Sequence, residues 1–253
     1  MASPNPLYGT GAFRRRLSWH AMPGRVDVAV EDNNHGFRLS LQHDGERITG
    51  LSVDPVRYPF TTCPEAVRNA QQIVGLMLTD VSGMRARLPQ PDNCTHMIDM
   101  SLFAAAHAGS NDLGVERLYD IAVADERDDV TQARIECDGR LVHDWTIRAH
   151  TLEQPGELTG KPVMRGFFAW ASQMFTGMPL EAAQILQRGY FVAQARRWRY
   201  EPIEQHPARS DGMPVGACYS YNTGAVERAL RIKGSVRDYS KSSERLLQFA
   251  DAP

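Results

Sequence analysis

The chain has 253 residues, 42% hydrophobic and 23% charged, and its 28 basic and 30 acidic side chains leave a formal net charge of −2. That is a globular composition, long enough to bury a core without disulfide or metal staples, and it excludes a disordered chain or a small stapled scaffold. It lacks the basic excess of nucleic-acid proteins, and no apolar run reaches the roughly 18 residues of a membrane span.

Residues 1–20 carry Arg14-Arg15-Arg16 but no apolar signal core, so they are expected to form a flexible arm of a cytoplasmic protein. Val26 to Val30 and Phe37 to Leu41 then alternate as strands, and Asp44-Gly45 marks a hairpin turn before a return strand from Arg47 to Val53. Pro55 and Pro59 end the pairing. Pro64 opens a predicted helix to Leu78, with Val67, Ala70, Ile73, Val74 and Met77 at helical spacing. A Pro-rich loop, Leu88 to Asn93, leads into a second helix from Thr95 to Ala108.

The same grammar returns in the second half. Tyr119 to Ala124 and Gln132 to Cys137 read as strands, Asp138-Gly139 as a turn and Leu141 to His150 as the return strand. Helices follow at Arg165 to Phe175 and Leu180 to Arg199. The two Asp-Gly turns, at Asp44 and Asp138, lie 94 residues apart. The pattern defines an α+β fold of antiparallel hairpins packed against helices, a single domain over 21–253 with similar halves at 21–112 and 113–234. Glu201 to Gly216 reads as a loop, Cys218 to Tyr221 as a strand and Gly224 to Ile232 as a short helix. The tail, 235–253, is expected to dock as a helix through Leu246, Leu247 and Phe249.

The richest string for chemistry is Asp92-Asn93-Cys94-Thr95-His96-Met97-Ile98-Asp99, at a helix start. The positive end of the helix dipole there is expected to shift Cys94 toward thiolate. His96, Asp99, Met100, Phe103 and His107 share one helical face, and Asp99 at i+3 is placed to fix the tautomer of an acid–base His96. Four readings compete. Cys94 and His96 with Cys63 or Cys218 could bind zinc, although the spacing matches no zinc finger. Cys94 could act as a nucleophile in acyl transfer or hydrolysis, although no Gly-rich oxyanion loop accompanies it. His96 could move a proton of a bound substrate. Or Cys94 is a small buried hydrophobe and His96 a hydrogen-bonder at the helix start.

Arg57, Tyr58 and Cys63, where a strand gives way to a helix, are candidates for the same pocket, arginine for an anion and tyrosine for a proton relay. Of Tyr219 and Tyr221, alternating about Cys218, one would face the site. Trp145, Phe167, Phe168, Trp170 and Phe175 read as core that also walls a cavity. No P-loop, dinucleotide fingerprint, H-E-x-x-H or G-x-S-x-G string is found. Three lysines against 25 arginines argue against Schiff-base chemistry and leave arginine as the main cation. Four cysteines without a C-x-x-C pair are expected to be free thiols.

Arg57-Tyr58-Pro59-Phe60-Thr61-Thr62-Cys63-Pro64, Gly75 and Asn93-Cys94-Thr95-His96-Met97-Ile98-Asp99 resemble the pattern of the bacterial family DUF2889, and Trp145, Gly166 to Ala171 and Arg188 extend the likeness. The label implies no fold or reaction. Proteins similar to it occur with bacterial breakdown of lignin-type aromatic dimers, where cofactor-free lyases release formaldehyde. The resemblance therefore implies a carbon–carbon lyase without cofactor or metal, acting on an aromatic small molecule, with catalytic His96, Cys94 and Asp99. Arg57, Tyr58, Cys63, Phe103, His107 and Tyr219 would bind the substrate. No nucleic-acid or membrane partner is expected, and a homodimer is the expected assembly. The alternatives are the cysteine-dependent acyl-transfer or hydrolytic enzyme and a non-catalytic small-molecule or zinc-binding protein.

Overall fold

In the computed structural model, residues 2–109 and 113–249 are described. Ser3–Pro4 (β1) is followed by a four-strand meander: Ala12–Met22 (β2), Arg25–Asp32 (β3), Gly36–His43 (β4) and Ile48–Arg57 (β5). Two short helices, Ala66–Ala70 (α1) and Val81–Arg87 (α2), lead to a 14-residue helix, Thr95–Ala108 (α3). A second meander follows: Glu116–Ala124 (β6), Val130–Cys137 (β7), Arg140–Arg148 (β8) and Thr151–Gln154 (β9). Phe167–Met174 (α4) and Gly177–Ala193 (α5) come next, and Trp198–Arg199 (β10) pairs back with β1.

The two meanders join through β2 and β6 into one antiparallel sheet, in the order β5-β4-β3-β2-β6-β7-β8-β9. Its helix-covered face follows from strand alternation. Phe13, Leu17 and Trp19 lie across from Val123, Tyr119 and Arg117 on one side, and Leu17 and Trp19 across from Val30 and Val28 on the other. Phe37, Leu39 and Leu41 extend the stripe through β4. α3 buries Met97, Ile98, Met100, Ala104 and Ala105, while α5 buries Ala182, Ala183, Ile185, Leu186 and Tyr190. Each large apolar side chain so buried is worth about 1.5–3 kcal/mol of transfer free energy. α5 approaches closely because Gly189 carries no side chain: a Cβ there would lie 2.9 Å from Ile121 Cγ2.

The opposite face carries ion pairs, among them Arg16–Asp120 and Arg134–Asp144. The C-terminal segment lies across its first half. Tyr239 OH and Leu247 N both donate to the buried Glu31, and Ser240 Oγ donates to Ala12 O.

The α+β class and the antiparallel hairpins are as the sequence predicts. Asp138-Gly139 is a two-residue turn with both residues at positive φ (50° and 74°), closing the Cys137–Arg140 pair. Asp44-Gly45 belongs to a longer turn, in which Asp44 Oδ1 accepts from Glu46 N and Arg47 N.

Several expectations need correction. Residues 1–20 are not an arm: Ala12–Met22 is an inner strand of the sheet, with Phe13, Arg15, Leu17, Trp19 and Ala21 all buried. The predicted helix from Pro64 to Leu78 is broken, because the chain becomes extended at Val74 and Gly75 takes a φ of 91°. Cys218 to Tyr221 is a helical turn rather than a strand, and 224–232 holds turns and isolated bridges. The tail docks through Leu246 and Leu247 not as a helix but as irregular chain with turns, among them the helical turn Ser243–Arg245. The expected boundary at 112 and the last residues, 250–253, lie outside the described residues.

Candidate functional site

Alternation along β2 and β3 places two charges where apolar residues are due. Arg15 follows Phe13 on the inner face, Asp32 follows Val30, and the two are cross-strand partners. Arg15 Nη2 donates to Asp32 Oδ2 at 2.5 Å, with both side chains almost fully buried. Just beyond, Asn33-Asn34-His35 turns the chain into β4. Asp32 Oδ1 holds this turn by accepting from Asn34 N at 2.7 Å and His35 N at 2.8 Å.

The same oxygen lies 3.2 Å from His35 Nδ1. Burial by itself would raise the Asp32 carboxyl, but Arg15 and then His35 outweigh it and hold the group well below the usual carboxylate range. An ionised carboxylate only accepts, so the hydrogen of this contact belongs to His35 Nδ1. In the neutral ring this leaves the lone pair on Nε2, and Nε2 has no partner among the described residues.

His96 arrives from the first turn of α3 and packs its ring 4.0 Å from that of His35. Its Nε2 lies 3.0 Å from Arg15 Nη2 and 3.5 Å from Asp32 Oδ2. Burial first, then the neighbouring His35, pushes His96 down to about 3, and the favourable effect that Asp32 would have on a protonated ring does not offset this. His96 is therefore a neutral acceptor of the Arg15 proton.

Asp32, His35 and His96 form the three-donor group among the described residues that could hold a metal ion, their ligand atoms within 4.8 Å of one another. The donor chemistry does not fit one. The Arg15 guanidinium already supplies a cation between Asp32 Oδ2 and His96 Nε2, and Asp32 Oδ1 is taken up by the turn.

His35 and His96 edge an apolar cavity of about 320 Å³. Phe60, Phe191, Trp198, Tyr200, Tyr219 and Tyr221 supply its aromatic lining, and Cys63, Cys94 and Cys218 supply its thiols. Arg231 stacks on the rings of Phe60 and Tyr200, 4.7 and 3.9 Å from their centroids, and pairs with Asp211.

The residues singled out in the sequence divide clearly. His96, Cys94, Cys63 and Tyr219 line this cavity. The thiols there are not activated: burial pushes Cys63 up to about 12 and raises Cys94 and Cys218 too. At Cys94 desolvation thus outweighs the helix-start N–H groups, and the expected thiolate shift is reversed. Asp99 does not orient His96. It turns away to pair with Arg188 Nε at 3.1 Å, and Arg15 takes the part expected of it.

Arg57 is not free for a substrate. It pairs with Glu31 at 3.1 Å and donates to the backbone oxygens of Asp32, Asn33, His35 and Ser235, locking the turn that carries His35. Tyr58 packs between the two apolar clusters and is not in the cavity wall. Phe103 borders a separate small void beside Arg15 and Arg188. His107, near the far end of α3, stacks on Trp19 at 3.6 Å and pairs with Glu181. The core aromatics Trp145, Phe167 and Trp170 are buried together away from this cavity.

Sequence reasoning passed over Arg15, Asp32, Asn34 and His35. The signal was a charge standing in the apolar phase of each of two alternating strands, followed by Asn-Asn-His-Gly at the turn.

Residues 16–108 match the model of the family described as "Protein of unknown function (DUF2889)". The match supports the family suggested by the Cys-Thr-His string, and it runs from within β2 to the end of α3, including Asp32, His35, Cys63, Cys94 and His96. Arg15, α5 and the loops that complete the cavity lie outside it. No curated protein matches the chain.

Proposed function

We propose that the protein is an enzyme that binds an aromatic small molecule in the apolar cavity and moves a proton at a hydroxyl group of that molecule, with His35 as the base. The observation that carries this reading is the Asp32–His35 pair at the edge of an aromatic-lined cavity. A carboxylate holding Nδ1–H fixes the tautomer, leaves Nε2 as acceptor and stabilises the imidazolium formed on proton transfer. Arg15 supports the pair from behind by fixing the other carboxylate oxygen, and His96 Nε2 accepts from the same guanidinium nitrogen.

In its most concrete form the reaction is carbon–carbon cleavage with release of formaldehyde from a lignin-type aromatic dimer. His35 takes the proton of a hydroxymethyl O–H, and that electron pair becomes the second C–O bond of formaldehyde. The C–C bond breaks, its electrons pass to the carbon conjugated with the ring, and the proton returns there. A volume of 320 Å³ suits one substituted ring, so a two-ring substrate would extend into the neighbouring space. The four cysteines, all free thiols, suit a reducing compartment such as the cytoplasm.

The test is formaldehyde release from a dimer bearing a hydroxymethyl side chain, comparing the wild-type protein with His35→Ala. Loss of turnover in a folded variant supports the reading, and wild-type turnover in that variant overturns it.

A further inference from the structure

A second, more polar cavity of about 450 Å³ adjoins the apolar one, and Asn34, Ala195, Trp198, Tyr200 and Arg231 line both. Three asparagines border this second space. Two are spent on the fold: Asn5 Nδ2 donates to Arg196 O and its Oδ1 accepts from Leu7 N, while Asn33 Nδ2 donates to Arg237 O and its Oδ1 accepts from Arg14 N. Asn34 is different. It is only 7% exposed, yet its side-chain amide has no hydrogen-bond partner among the described residues. The amide is not sealed off but opens into the cavities that Asn34 lines, where its donors and acceptor are available to a bound molecule.

Most of the arginines around the second cavity are already paired, and the carboxylate of Glu204 in its wall accepts from Gly234 N. Arg196 pairs with Asp125 and Asp238, Arg199 with Glu201, Arg231 with Asp211 and Arg237 with Glu31. An incoming carboxylate or phosphate would compete with the carboxylates already on these arginines and would face Glu204, whereas a neutral hydroxyl or carbonyl needs only the free amide.

We infer that Asn34 is a specificity-determining residue whose amide, at the junction of the two cavities, binds a neutral hydroxyl or carbonyl next to the aromatic ring, so that the substrate is an uncharged, oxygenated aryl-alkyl compound spanning both. The inference rests on the reading of the apolar cavity as the substrate site and names the substrate class. Asn34 also neighbours His35 in a turn fixed by Asp32, so the group it binds is held close to the base.

Calorimetric titration of the whole chain with 3-phenylpropane-1,2-diol, 3-phenylpropanoate and toluene tests this. The diol is expected to bind about tenfold tighter than the carboxylate. Asn34→Ala should weaken the diol about 5- to 20-fold, as loss of one or two buried hydrogen bonds implies, and leave toluene within about twofold. Asn34→Asp, which keeps the shape and adds a charge, should weaken the carboxylate further. Equal diol affinity in wild type and Asn34→Ala, tighter binding of the carboxylate, or no binding of any probe to the folded wild type would overturn the inference. The two proposals fail separately: unchanged turnover in His35→Ala removes the base, whereas unchanged diol binding in Asn34→Ala removes only the amide.

Discussion

Arg15 Nη2 stands between two acceptors, 3.0 Å from His96 Nε2 and 2.5 Å from Asp32 Oδ2, although 81 residues separate Arg15 from His96. Because a guanidinium can only donate, His96 must offer a lone pair and carry its proton on Nδ1. A protonated His96 would set two cations face to face in a buried site, so the histidine that heads α3 is kept neutral by its surroundings.

Acid sensitivity follows from that. His96 titrates at about 3 in the folded chain, against about 6.5 when exposed. Between those values the unfolded chain binds a proton that the folded chain refuses, so stability rises with pH and is lost as pH falls from 6.5 toward 3. The full difference is on the order of 4–5 kcal/mol. Asp32, lowered in the fold, adds a loss that sets in as pH falls through the ordinary carboxylate range and continues below it. Urea unfolding at several values from pH 4 to 7 should show a steep slope in the wild type and a flatter one in His96→Gln; equal slopes would contradict the account.

Removing the carboxylate exposes the other side of the balance. Asp32→Asn leaves Arg15 buried without its counter-charge, and breaking such a pair costs about 3–5 kcal/mol. The double variant Arg15→Met, Asp32→Leu should lose clearly less than the two single variants added together, as measured by chemical denaturation.

Arg57 acts at a distance from the cavity by clamping the turn. Its two terminal nitrogens reach Glu31 and four backbone oxygens, a fork that the single ammonium of lysine cannot reproduce. Arg57→Lys should lower stability by about 1.5–3 kcal/mol, the worth of a charge-assisted hydrogen bond. Hydrogen exchange at the Asn34 and His35 amides should quicken in the same variant, and unchanged exchange there would contradict the clamp.

The thiols give a simpler test. With Cys63 pushed up to about 12 and Cys94 and Cys218 also raised by burial, iodoacetamide at pH 7 should modify them more slowly than a free thiol. Rapid single-site alkylation of Cys94, seen by intact mass, would revive the nucleophile reading.

Much of the fold was legible because its signals are local. Asp138-Gly139 carries its own turn chemistry, and Thr95 to Ala108 has helical spacing after a Pro-rich stop. β2 was obscured because arginines occupy both phases of Phe13-Arg14-Arg15-Arg16-Leu17, so the inner arginine could not be told from its outer neighbours before the strand had partners. The Cys94–His96 corner was legible as a helix start. The partners of His96 were not, since Arg15 and Asp32 meet only through strand pairing, and the nearer Asp99 is drawn off by Arg188, which comes from α5. Arg57 looked available because sequence alone does not show the acceptors that surround it.

The imidazole nitrogens report the central claim most directly. Proton–nitrogen correlation spectra of the histidine rings at pH 7, assigned with His35→Gln and His96→Gln, should show the hydrogen on Nδ1 in both rings and His96 neutral, accepting at Nε2. Saturating phenol should shift His35 Nε2 and leave His143, which bonds Pro179 O elsewhere in the fold, in place. A His35 ring carrying its hydrogen on Nε2 alone, or one that phenol does not move, would contradict an Asp32-oriented base at an aromatic site.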